Sequence, residues 1–130
     1  MLRIFDTDGV EQKFNPALFT KVSQTAVTDT ATITAAQLLT RVLDATPTAT
    51  ATYTLPTAAL LVKAMSGVAV GDSFIFVVNN KAATAITITV AAGTSGTADG
   101  TVTIAQNVCR AFLVFITAVP TPTYSVYGLT

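Results

Sequence analysis

Alternation with a period of two dominates this chain, in short runs that turn residues keep interrupting. Residues 84–90 set Thr87 and Thr89 against Ile86, Ile88 and Val90, the pattern of a strand with one buried face and one face toward water or a polar contact. Residues 73–79 carry Phe74, Phe76 and Val78 on one face and Ile75 and Val77 on the other. A monomer's outward sheet face is mostly polar, so this two-sided apolar strand predicts either a central position under a covering element or a subunit interface. Further strands are expected in the Thr-rich segment 21–34, around Tyr53 in 50–55 before Pro56 stops it, and over 101–104, 107–117 and 123–129. Turn signals recurring every ~8–12 residues point to a sandwich or jelly roll.

Helix is a minor expectation. Thr34 can cap a short turn whose N3 residue is Gln37, with Leu38 and Leu39 turned inward. The best helix lies over 57–65, where Leu60, Leu61, Ala64 and Met65 have helical spacing and Gly67 follows as a C-cap. Residues 91–100, with Gly93, Gly96 and Gly100, read as a flexible hairpin loop. The expected fold is all-β: a jelly-roll-like antiparallel β-sandwich over 31–130, with one short helix, preceded by an extended N-terminal arm or anchoring segment over 1–30. Within that arm Asp6-Thr-Asp-Gly9 supplies a turn between two short apolar runs, and Pro16 blocks helix at the residue before it.

Charge is scarce. Seven Lys and Arg balance seven Asp and Glu, and charged residues make up 11% of the chain against 51% hydrophobic, where soluble domains usually carry about 25% charged residues. From residue 45 onward the ionisable acids and bases are Lys63, Asp72, Lys81, Asp99 and Arg110. A surface of Thr, Ala and Ser with so little self-repulsion favours association, so much of it is expected to be covered by copies of the chain or by a larger body. Most acids and bases fall before residue 45, which marks the N-terminal part as the one that touches something else. Zero net charge gives no field for nucleic acid, and the basic residues do not cluster or interleave with aromatics, so no nucleic-acid partner is expected.

The residues also limit the chemistry. Histidine is absent, which removes the common general base and most zinc and iron sites. Asp6, Asp8 and Glu11 resemble the start of a calcium loop, but the sixth and twelfth positions are Glu11 and Ala17 where Gly and Glu are needed. Asp72 and Asp99 each sit beside glycine and are explained as turn residues. The Gly-rich stretch has no lysine for a phosphate and opens no helix. No enzyme, no catalytic residue, no metal and no cofactor is expected. Cys109 lies in an apolar run and reads as a buried, inert thiol. No run is long enough to span a membrane, and the first residues lack the apolar stretch of a signal peptide, so cytoplasmic synthesis is expected. Candidate interface residues are Phe14, Phe19, Phe74, Phe76, Tyr124 and Tyr127, because aromatics bury large area at modest entropic cost.

The segments Ile33-Thr-Ala-Ala-Gln-Leu-Leu39, Tyr53-Thr-Leu-Pro-Thr-Ala-Ala59, Val70-Gly-Asp-Ser-Phe-Ile-Phe76, Ile88-Thr-Val-Ala-Ala-Gly93 and Tyr124-Ser-Val-Tyr-Gly-Leu129, in this order, resemble the small jelly-roll virion proteins of the bacteriophage capsid decoration and head-fibre type. The resemblance implies a homotrimer on the capsid surface that stabilises or ornaments the shell, assembled in the host cytoplasm. Its partners would be itself and the major capsid protein or another virion protein, and the first ~30 residues would be the anchor. The alternative is a carbohydrate- or receptor-binding β-sandwich module of a viral fibre or tail, for which Tyr53, Tyr124 and Tyr127 are the available platform residues.

Overall fold

The computed structural model describes residues 21–130 and, as backbone strands, residues 3–5 and 11–13. In chain order the strands are β1 (Arg3–Phe5), β2 (Glu11–Lys13), β3 (Ser23–Val27) and β4 (Ala31–Thr32), then helix α1 (Ala35–Leu38), β5 (Arg41–Ala45), β6 (Ala51–Thr54) and helix α2 (Ala58–Ala64). There follow β7 (Ser73–Asn80), β8 (Ile88–Ala91), β9 (Gly96–Gly100), β10 (Thr103–Ile104), β11 (Cys109–Ala118) and β12 (Thr123–Gly128). β1 and β2 pair antiparallel with each other. The remaining strands form a larger sheet in the order β3-β5-β7-β11-β12-β9 and a smaller one in the order β10-β8-β6-β4.

The protein is thus β-rich, as expected, but its sheets are mixed rather than antiparallel. From β3 to β10 each successive strand enters the other sheet. Across the first crossovers the chain returns to each sheet running in the same direction, so β3, β5 and β7 pair parallel, as do β4, β6 and β8; β9 also pairs parallel with β12. Antiparallel ladders appear at β8–β10, β7–β11 and the β11–β12 hairpin. β3 is a strand of the larger sheet, paired with β5 from Ser23↔Arg41 to Val27↔Ala45.

Apolar side chains from the two sheets meet in one core. The larger sheet contributes Leu43, Phe76, Val78, Phe112, Val114, Ile116 and Val126, and the smaller one Tyr53, Ile88, Val90 and Ile104. Phe76 and Phe112 stand opposite each other across β7 and β11, with ring centroids 5.1 Å apart and nearly parallel planes. Asn80 is the one buried polar side chain among the described residues. It donates to the carbonyls of Ile86 and Ile104 and accepts from the amide of Ala82, so its burial leaves nothing unpaired.

Two helices are present where one was expected. Thr34 accepts a hydrogen bond from the Gln37 amide while the Gln37 side chain accepts from the Thr34 amide, closing the capping box. Leu38 is fully buried and Leu39 packs against the core. Thr57 caps α2 through the Leu60 amide, Leu61 is buried, and Leu60 is 56% exposed. The C-cap is Met65, and Gly67, at φ +74°, lies in the turn beyond it. No helix among the described residues is long and apolar enough to cross a membrane.

Candidate functional site

The outer face of the larger sheet is the surface with the clearest character. Strand alternation puts Phe74, Phe76, Val78 and Asn80 of β7 inward and Ser73, Ile75, Val77 and Asn79 outward. On β11, Phe112, Val114 and Ile116 face inward and Ala111, Leu113 and Phe115 outward. The register aligns Val42, Val77 and Ala111 in one cross-strand row and Ile75, Leu113 and Tyr127 in the next. Phe115 and Tyr127 lie on neighbouring strands with rings stacked 5.6 Å apart. Ile75 is 49% exposed and Tyr127 37% exposed, in the middle of a six-stranded sheet where a monomer would place polar residues.

The edges of this face are polar. Lys81 donates to Asp44 over 2.8 Å, and Asn79 donates to the other carboxylate oxygen of Asp44 over 3.1 Å. These bonds, led by that from Lys81, hold the Asp44 carboxyl below its ordinary range. An exposed pair of this kind is screened by solvent and adds little to stability; it marks the rim. Asp99 stands on the edge strand β9, beside Tyr127.

Of the four sequence-derived interface candidates among the described residues, one lies on this surface. Phe74, Phe76 and Tyr124 are buried in the core, since with both faces of a strand apolar the bulkier residues fill the interior. Tyr127 is exposed. Phe14 and Phe19 lie outside the described residues. Cys109 is exposed rather than buried, because it opens β11 on the outward side of the sheet. The candidate platform tyrosines fare similarly. Tyr53 donates to the Thr28 carbonyl, and Tyr124 donates to the Pro56 carbonyl while accepting from the Gly93 amide. Burial raises the pKa of both, that of Tyr53 to about 12.

A second feature is a cavity of about 450 Å³ where β4 and β6 lead into the two helices. Ile33, Ala35, Leu55, Pro56 and Leu60 line it, with Thr32, Thr34, Thr54, Thr57 and Thr94 around them. The hydroxyls of Thr34 and Thr57 already accept from helix amides. With no ionisable side chain in its lining, the cavity fits an uncharged apolar group and offers no proton-transfer chemistry. Among the described residues no cluster of three or more His, Cys, Asp and Glu side chains is placed to hold a metal. Compared with protein-family models, with curated proteins and with solved structures, the chain matches none.

Proposed function

We propose that this chain is a structural virion protein, a capsid decoration or stabilising protein that assembles as a homotrimer on the shell. The single observation that carries the reading is the outer face of the larger sheet, where Ile75, Val77, Leu113, Phe115 and Tyr127 form an apolar surface on central strands. A chain so poor in charge has little to oppose its association through such a face. The resemblance in sequence supplies the virion context, and in this reading the two-sheet body is a variant of the jelly-roll architecture with parallel ladders added by its coiling path. The N-terminal segment, where acids, bases and three of the seven phenylalanines concentrate, makes the contact with the major capsid protein or another shell component.

The test is cosedimentation of the full chain with intact shells of the parent virus from which this protein has been stripped. The wild type should pellet with the shells. Phe14→Ala combined with Phe19→Ala should remain in the supernatant with its oligomeric mass unchanged. Failure of the wild type to pellet overturns the decoration role, and full binding by the double variant overturns the anchor.

A further inference from the structure

The apolar row of the larger sheet ends in opposite charges. Tyr127 is aligned with Asp99 on β9, Leu113 with Tyr127, and Ile75 with Leu113. At the other edge, Ser23 of β3 is aligned with Arg41 of β5, and Val42 with Val77. Lys21 and Val22, just before β3, therefore lie close to the height of Ile75. By the alternation that turns Val42 and Gln24 outward, Val22 shares their face, and it is 56% exposed. Three of the large exposed apolar residues, Val22, Ile75 and Tyr127, thus fall along one line across the sheet. That line runs from a basic edge to an acidic one about 24 Å away. Lys21 and Asp99 are exposed.

Direction matters as much as charge. β3, β5 and β7 are parallel, β11 reverses, β12 reverses again, and β9 follows β12. The two edge strands point the same way. A rotation about an axis along the strands keeps every residue at its own height, and so brings the Asp99 edge of one copy beside the Lys21 edge of the next. A two-fold contact between like edges would instead set acid against acid. Opposite charges on opposite edges are the mark of a head-to-tail interface, which closes when the rotation does.

We propose that copies of this chain join edge to edge in a closed ring of three. Asp99 of one copy meets Lys21 of the next, and the row Val22, Ile75, Leu113 and Tyr127 turns toward the three-fold axis. This rests on the homotrimer reading above and specifies its contact. The ion pair lies at the rim, where it selects register, and the apolar row is what the ring covers.

The experiment is light scattering of the full chain over a range of concentrations at low and high salt, with circular dichroism to verify folding. The wild type should reach about 40 kDa, three times the 13.4 kDa chain, and dissociate more readily as salt screens the pair. Asp99→Lys and Lys21→Glu should each raise the midpoint concentration of assembly about tenfold, and the doubly substituted chain should regain most of the loss. A trimer indifferent to both substitutions overturns this contact and leaves the homotrimer reading standing. A wild type that is monomeric, dimeric or an open-ended polymer removes that reading and the inference together.

Discussion

Tyr53 shows how much one hydroxyl can govern. Its ring fills the core from the smaller sheet, and its hydroxyl donates to the Thr28 carbonyl over 2.9 Å. Burial, with the Asp29 charge adding to it, raises its pKa from 10.0 to about 12. The folded state therefore holds this proton where the unfolded chain has begun to release it. The stability that results is complete below pH 10 and is lost as pH rises toward about 12. Tyr53→Phe should flatten that alkaline decline, measured as urea midpoint against pH, while costing about 1 kcal/mol at neutral pH for the missing bond. The opposite sign operates in acid. The Thr48 amide and hydroxyl bind Asp29 and lower its pKa below 3.8, so its contribution is present above the carboxylate range and lost as pH falls through it. Neither effect is visible in sequence, because the partners lie 19 and 25 residues away.

At the scale of elements, legibility follows the reach of the interactions. The capping box at Thr34 and Gln37 and the cap at Thr57 are local, and the sequence states them. The two helix starts also repeat: Thr34-Ala-Ala-Gln-Leu38 and Thr57-Ala-Ala-Leu-Leu61 are successive turns of one coiling path. That repeat was the available signal for parallel pairing, and strand alternation alone does not carry it. The Gly-rich stretch read as a loop is a strand for a reason that lies elsewhere in the chain. A Cβ at Gly96 would fall on the Tyr124 ring, and Gly100, at φ +76°, passes close to the Gly128 backbone. Here glycine makes room for a neighbour rather than freeing the chain. Gly96→Ala should destabilise by about 1–3 kcal/mol through overpacking, read as a lower urea midpoint. A substitution without effect would mean that the Tyr124 ring yields.

Across the whole molecule, the two sheets differ in what they show to the outside. The smaller sheet turns out Thr32, Thr52, Thr54, Thr89 and Thr103, and the larger one Ile75, Val77, Leu113 and Phe115. The sequence flagged this second surface through the two-sided pattern of residues 73–79. It could not say which side faced in, so Phe74 and Phe76 stood as candidates although Ile75 and Leu113 are the side chains on the outer face. Ile75→Lys tests the surface directly. At an exposed position the change should leave folding within about 0.5 kcal/mol, while the mass in solution falls to that of one 13.4 kDa chain. An unchanged mass would show that association uses another face.

The alternation of strands between sheets also sets how this chain acquires its structure. Between residues 21 and 130, β11 and β12 are the one pair of consecutive strands joined as a hairpin; every other ladder must close a longer loop, from Thr89↔Thr103 to Ala51↔Ile88. Loop closure is paid before such contacts repay it, which places the chain among slow folders, on the scale of milliseconds to seconds. During synthesis β7 emerges before its partner β11, with Phe74, Phe76 and Val78 unsheltered. Nascent chains crowded on one message would have that strand available to each other before their own core exists.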